Sequence, residues 1–245
     1  MEFPNEDNIE LTPVTGEESK GEEGNESRAE LKRKRKNTRW IARIISFIFF
    51  PLLIPIYATL MLFDMHIFTY YPTPYVSAAK TTIFIFGIII PCVSFIFLKV
   101  VKAISDFHVP RKEERIIPYI CISFCYLCCA YLLFRNAMPT WVVNMNISVA
   151  FVIFTESIIS RFWRISGHAS SMGLWAGTIL VSGYATYTNV CTPFCIVLLI
   201  AGIVSSARMY LNRHTNEQLL VGFIYGMLSV VLIEWLNPAI LLRFI

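Results

Sequence analysis

Long apolar segments, separated by short polar ones, make up most of this chain from Trp40 onward. A helix that crosses a bilayer needs about 20 mostly apolar residues. By that standard the sequence predicts seven candidate spans, at residues 40–63, 81–101, 116–134, 141–159, 172–187, 192–204 and 219–236. The fifth and sixth are short, so we expect six to seven spans. Uninterrupted apolar runs favour helices over a barrel, and the predicted fold class is all-α, a polytopic bundle of transmembrane helices.

The composition agrees with this pattern. Hydrophobic residues are 56% of the 245 positions and charged residues only 16%, whereas soluble domains average roughly 45–50% and 25%. Many of the charges lie in the first forty residues. We therefore expect two parts, a polar tail at residues 1–39 and one membrane domain at residues 40–245.

The tail is acidic first and basic afterwards. Residues 1–29 contain few large apolar side chains, too few to offset the entropy cost of ordering, so we expect this stretch to be disordered. The run from Lys32 to Lys36, with Arg39, directly precedes an apolar segment. A basic run in that place is typical of a juxtamembrane anchor beside anionic lipid rather than of a nucleic-acid site. Membrane lipids, and no nucleic acid, are the expected partners.

Lysine and arginine positions also predict an orientation. Most of these residues lie in the tail or in the connections that share its side of the membrane, and few lie on the other side. The positive-inside rule then places the N-terminus in the cytoplasm. Three polar clusters fall on this same side, so any site built from them is expected to be cytoplasmic.

The three clusters lie between predicted helices. The first contains His108, Arg111, Lys112, Arg115 and Pro118; the second contains Arg164, Ser166, Gly167 and His168; the third contains Arg208, Arg213, His214, Glu217 and Gln218. Arginine offers a planar fork of donors that matches phosphate oxygens. A Ser-Gly pair at a helix start offers free backbone N–H groups and the positive end of the helix dipole. Histidine serves as nucleophile or general acid near neutral pH. Together these residue types indicate phosphoryl transfer without a metal or other cofactor.

The clusters resemble the three motifs of the type 2 phosphatidic acid phosphatase superfamily of membrane phosphatases. Its second motif is Pro-Ser-Gly-His, and Ile165-Ser166-Gly167-His168 matches three of the four positions. Its third is Ser-Arg, five residues, His, three residues, Asp, and here Ala207-Arg208 is followed at that spacing by His214 and Gln218. Arg115, with Pro118 nearby, is similar to the arginine end of the first motif. Pro51 and Pro55 also resemble divergent bacterial members.

The resemblance implies roles for these residues. His214 would attack phosphorus and form a phosphohistidine, and His168 would protonate the leaving alkoxide. The groups that would hold the phosphoryl oxygens are Arg115, Arg208 and the backbone at Ser166 and Gly167. Arg111 or Lys112 would take the place of the motif's lysine, because His108 stands at that lysine's position. The implied substrate is a lipid or isoprenoid phosphomonoester or pyrophosphate. The resemblance does not indicate which lipid, or the oligomeric state.

The aspartate that orients the nucleophilic histidine is replaced by Gln218. Residues 214 and 218 share one face of a helix, so the amide could accept the histidine N–H, but it cannot supply a negative charge; Glu217 is the alternative. This departure leaves a second hypothesis open, a catalytically weak or inactive relative that binds anionic lipid headgroups. A third, a small transporter or channel, predicts inverted repeats or a second charged span, and the sequence contains neither.

Overall fold

The computed structural model describes residues 21–65, 67–68, 71–102 and 116–236. Regular structure in these ranges is entirely helical, which confirms the all-α class for them. The helices are α1 Gly21–Ile48, α2 Ile54–Asp64, α3 Thr73–Phe84, α4 Ile90–Val100, α5 Ile116–Arg135, α6 Thr140–Ile159, α7 Gly167–Thr186, α8 Cys191–Tyr210 and α9 Asn216–Trp235. A π-helical turn, Ile85–Ile89, joins α3 to α4 in one continuous rod. The chain divides into two compact units, residues 1–41 and 42–245.

Five helical segments of the described residues are long and apolar enough to cross a membrane. They are Thr73–Val100, Ile116–Arg135, Thr140–Ile159, Cys191–Tyr210 and Asn216–Trp235. This supports an integral membrane protein, with fewer strongly apolar spans than the seven predicted. The two remaining predictions correspond to a broken helix and to α7, which is long but less apolar.

The first predicted span, residues 40–63, is broken into two helices. α1 ends at Ile48 and α2 begins only at Ile54. Pro51 and Pro55 explain the break, because proline lacks a backbone donor and disfavours helical geometry in the residue before it. The resulting α2 is a short apolar helix of 11 residues.

α1 begins inside the tail that the sequence predicts to be disordered. Its first residue is Gly21, and residues 1–20 lie outside the described ranges. Glu, Ala, Leu, Lys and Arg make up most of the stretch from 21 to 39, and these residues have high helix propensity. Local propensity therefore accounts for a helix that hydrophobic burial alone does not predict.

The helices from α6 to α9 alternate in direction. Near the start of α6, Asn144 Nδ2 donates to Glu234 Oε2 near the end of α9 at 2.8 Å. Further along α6, the hydroxyl of Thr155 is hydrogen-bonded to that of Tyr225, in the middle of α9, so the two helices run antiparallel. The connections 160–166 and 211–215 therefore lie at the same end of the bundle, which we call the polar end. It contains the second and third polar clusters.

α7 lies at the centre of this arrangement. Of its 20 residues, 14 are buried, whereas α8 buries four of 20. A helix surrounded by protein does not need strongly apolar side chains facing lipid, and small or hydroxyl-bearing residues allow close helix packing. The Gly, Ala, Ser and Thr content of α7 has this explanation, and it is also the reason that α7 is less apolar than the five spans.

α7 and α9 run parallel and meet through glycines on both sides. Gly173 faces the backbone of Phe223, and Gly226 faces the backbone of Ser170, so closely that a Cβ at either position would overlap a carbonyl oxygen. Gly177 continues the contact one turn further, where a Cβ would lie 2.8 Å from the Met227 oxygen. Gly173–Gly177 and Gly222–Gly226 each have the four-residue spacing typical of tightly packed membrane helices.

We expect Gly226→Ala to destabilise the fold by about 1–3 kcal/mol, because the added methyl group must push α9 away from the Ser170 carbonyl. The measurement is an unfolding titration of purified protein in detergent. Gly202→Ala is the matched control, since a Cβ at Gly202 meets no heavy atom within 4 Å. Equal stability of the two variants would contradict the proposed role of the glycine contact.

Candidate functional site

The second and third polar clusters come together where α7 and α9 begin. Ser166 is the N-cap of α7, and Thr215 is the N-cap of α9. Because the two helices pack in parallel, their N-termini are neighbours, and a Cβ at Gly222 would lie 3.1 Å from the Ser166 carbonyl oxygen. His168 on the first turn of α7 and His214 just before α9 are close enough to interact electrostatically, and Arg208 at the end of α8 acts on His168 as well.

Gln218 makes the contact with His214 that the four-residue spacing suggests. His214 Nδ1 lies 3.1 Å from Gln218 Oε1, and the backbone N–H of Thr215 donates to the same oxygen at 3.3 Å. A backbone N–H can only donate, so the amide atom in this position is the oxygen, and His214 Nδ1 must carry the hydrogen. The tautomer thus has its lone pair on Nε2.

A capping box holds Gln218 in place. Its own N–H lies 3.4 Å from the Thr215 hydroxyl, while its side chain accepts from the Thr215 N–H. This reciprocal pair is a known device for starting a helix. Glu217, the alternative orienting residue, is exposed. The geometry therefore favours Gln218 over Glu217 as the group that orients His214.

The side chain of Ser166 caps α7, and the phosphate contact expected at its backbone stays a prediction. Its side chain is fully buried and accepts the N–H of Ala169 at 3.4 Å, as an N-cap does. The Ser166 carbonyl accepts the N–H groups of Ala169 and Ser170. The backbone N–H groups of Gly167 and His168 precede the first intrahelical bonds and are the ones that the helix start offers to an anion.

Arg208 is half-buried, and its Nε is a buried donor with no hydrogen-bond partner among the described residues. Leaving a charged donor unsatisfied is costly, so an arginine in this state fits an anion-binding role. The charges of Arg213 and Arg164 also act on Arg208. These two arginines were not among the predicted phosphate-binding residues, although each lies within two positions of a predicted one.

His168 is held by the end of α1. Its Nε2 lies 3.1 Å from the carbonyl oxygen of Ser46, and the ring of Phe50 meets the imidazole edge-on at 6.2 Å. A carbonyl only accepts, so Nε2 carries a hydrogen and the neutral ring has its lone pair on Nδ1. The last carbonyls of a helix lack intrahelical partners, which makes Ser46 a suitable acceptor. No pattern in the sequence pointed to Ser46.

The surroundings of His168 oppose its charged form. Burial lowers its pKa to about 3, the positive charge of Arg208 and the proximity of His214 act in the same direction, and the Ser46 carbonyl opposes them in part. The imidazole is therefore neutral at physiological pH. A dianionic phosphate beside it would favour the charged form and raise this pKa.

Arg111, Lys112 and Arg115 of the first polar cluster lie outside the described residues, as does His108, whereas Pro118 is buried in α5. α5 begins at Ile116, immediately after Arg115. It packs against α6, and the short connection 136–139 joins the two helices. Antiparallel neighbours joined by a short loop share their ends, so α5 starts at the polar end. Whether these three residues contact a phosphate stays a prediction.

Compared with protein families, curated proteins and solved structures, this chain matches none. Function therefore has to be argued from the geometry and chemistry of the site itself rather than from the fold.

We expect Arg208→Gln to raise the pKa of His168, because it removes a positive charge that disfavours the imidazolium. Burial persists in the variant, so the pKa should stay below the ordinary value of about 6.5. A pH titration of histidine ring NMR shifts in detergent measures it. Arg161→Gln, an exposed arginine at the same end of the bundle, is the control and should leave the titration unchanged. An unaltered His168 titration in Arg208→Gln would show that the two groups are not coupled.

Proposed function

We propose that this chain is an integral membrane phosphatase of the type 2 phosphatidic acid phosphatase kind. It would hydrolyse a lipid or isoprenoid phosphomonoester or pyrophosphate through a phosphohistidine, without a cofactor. The observation that carries the proposal is the convergence of His168 and His214 at two adjacent helix N-termini. Beside them lies Arg208, whose buried Nε meets no acceptor in the part of the chain that the structure describes. The motif resemblance supports it independently.

In the first step, the lone pair of His214 Nε2 attacks phosphorus. The bond between phosphorus and the ester oxygen breaks, and that oxygen takes a proton from His168. The Nδ1–H to Gln218 contact keeps the attacking nitrogen unprotonated and fixes the ring. Arg208 and the backbone N–H groups of Gly167 and His168 stabilise the charge on the phosphoryl oxygens, usually the largest contribution in such sites.

In the second step, water attacks the phosphohistidine. His168, now neutral, accepts a proton from the water, the bond between nitrogen and phosphorus breaks, and inorganic phosphate leaves. His214 regains its lone pair and the cycle closes. Dividing hydrolysis into two displacements lowers each barrier relative to direct attack by water.

To act as the general acid, His168 must bind a second ring proton, and its surroundings disfavour that proton when no substrate is bound. His168 is held through Nε2 by Ser46, so its catalytic proton would reside on Nδ1. The negative charge of a bound phosphate offsets the effect of Arg208 and favours protonation. In this scheme the substrate itself helps to generate the acid form.

The candidate site would face the cytoplasm. The basic run beside the first apolar segment supports a cytoplasmic N-terminus, and with that orientation the polar end and its site face the cytoplasm. Membrane lipids would surround the five long apolar helices.

We expect His214→Ala to abolish phosphate release and His168→Ala to lower turnover by about 10²–10⁴-fold, the usual contribution of a general acid. The assay uses detergent-solubilised protein with phosphatidate, phosphatidylglycerol phosphate and undecaprenyl pyrophosphate. Arg161→Ala is the control for expression and folding. Denaturation of the reacting enzyme at alkaline pH, which preserves the N–P bond, should reveal an acid-labile phosphoenzyme in the wild type and none in His214→Ala. Release at wild-type rates by both histidine variants would refute the mechanism.

The second candidate is a lipid-phosphate-binding protein with little or no catalysis. The observation that favours it is the neutral amide at Gln218, which fixes the tautomer of His214 but cannot stabilise an imidazolium. Replacing an orienting carboxylate by an amide costs about 10⁴-fold in the serine protease example.

Gln218→Asp distinguishes the two candidates. We expect turnover to rise at least about tenfold, because the carboxylate stabilises the positive charge that develops on His214. Phosphate release from phosphatidate is the measurement, and Gln218→Leu, which removes the acceptor, should lose activity. Activity confined to the aspartate variant would favour the binding protein. Lower turnover in Gln218→Asp than in wild type would mean that the enzyme depends on the amide.

A further inference from the structure

A groove runs between α8 and α9 on the outside of the bundle, with a volume of about 310 Å³. Most of its lining is apolar, and its residues include Leu198, Gly202, Met209, Asn216, Leu220 and Phe223. α8 packs against α7 and makes little direct contact with α9, which leaves the crevice. Gly202 keeps it open, since no heavy atom lies within 4 Å of the position that a Cβ would occupy there.

The groove begins beside the candidate site. Met209 lines the groove at the end closest to the polar end of the bundle and directly follows Arg208. Asn216 on the facing helix lies two residues after His214. A molecule in the groove would therefore extend from the level of Arg208 and the His214 ring toward the middle of the bundle. The positive charge at one end and the apolar walls below it complement an anion with a hydrocarbon chain.

The length of the groove fits one leaflet. From Met209 to Leu198, α8 rises about 16 Å at about 1.5 Å per residue. Half of a hydrocarbon core of about 30 Å is about 15 Å. Both helices that form the walls are among the long apolar spans, and Leu220 on the wall is 62% exposed. The groove thus opens to the hydrocarbon region rather than to water.

We propose that one hydrocarbon chain of the substrate lies in the α8–α9 groove while its phosphate lies between Arg208 and His214. The inference rests on the proposed function and makes it more specific: the substrate is an amphiphile whose chain and phosphate belong to the same leaflet. The lipid around the protein is as apolar as the groove, so the contact acts by positioning the phosphate rather than by removing the chain from water.

The test compares two substrates with one headgroup, dipalmitoyl phosphatidate and dihexanoyl phosphatidate. Gly202→Leu adds a side chain on the groove side of α8, at a position where a Cβ meets no heavy atom of the described residues within 4 Å. We expect kcat/KM for the dipalmitoyl substrate to fall about tenfold or more, since small displacements of a reacting group have effects of this size. The dihexanoyl substrate should be hydrolysed at an unchanged rate because its chains are too short to follow the groove.

Leu199→Phe is the matched control. Leu199 is 69% exposed, lies one turn from Gly202 and is not part of the groove lining. This variant adds bulk to the lipid-facing side of α8 and should leave both rates unchanged. Equal effects of Gly202→Leu on both substrates, or no effect on either, would overturn the inference.

A binding measurement separates this inference from the proposed function. Wild-type protein is photolabelled with phosphatidate that has a diazirine in its acyl chain, and the labelled peptides are identified by mass spectrometry. Labels concentrated in α8 and α9, and lost in Gly202→Leu, support the groove even if no phosphate is released. Labels spread evenly over the lipid-facing helices overturn it. A wild type that hydrolyses neither phosphatidate yet labels in the groove would refute only the phosphatase proposal.

Discussion

The close approach of α7 and α9 is the contact on which the site depends. Gly173 and Gly177 on one helix, and Gly222 and Gly226 on the other, bring the two backbones so near that a Cβ at Gly173 or Gly226 would overlap a carbonyl oxygen of the partner helix. Because the helices are parallel, the same contact brings their N-termini together at the polar end. Each helix start contributes N–H groups and a positive partial charge, and each has a histidine. A small-residue interface in the middle of the bundle thus determines the distance between two side chains at its end.

The same packing explains the groove on the outside. The glycines bring α9 toward α7, and α8 also packs on α7, so α8 and α9 lie on α7 without closing on each other. Among the described residues, no heavy atom lies within 4 Å of the position that a Cβ would take at Gly202 on α8. The tight contact between α7 and α9 and the open crevice between α8 and α9 therefore follow from the same arrangement. Both end near Arg208 and His214.

A bound anion would stabilise the positively charged groups around His168 and His214. Within the described ranges Arg208 Nε is buried and has no hydrogen-bond partner, Arg164 and Arg213 add positive charge nearby, and burial keeps His168 neutral. The group that orients His214 is an amide rather than a carboxylate. With no carboxylate at position 218, a bound phosphate would supply negative charge beside Arg208 and beside any imidazolium. This would make protonation of His168 dependent on substrate, which suits an acid that acts only when a phosphoester is present.

Hydrophobic patterning determined that the chain is helical and embedded in a membrane, because apolar runs of spanning length and unpaired backbone groups in lipid leave few alternatives. It also placed the polar clusters between helices, and the four-residue spacing predicted the contact of His214 with Gln218. Patterning did not predict the break at residues 49–53 or the helical tail from Gly21, where proline geometry and local propensity prevailed over hydropathy. Only the tertiary structure revealed that α7 is enclosed by protein, that Ser46 holds His168, and that α8 and α9 leave a groove. Those features depend on which faces of distant helices meet, and side-chain packing between segments far apart in the chain leaves no periodic signal in a single sequence.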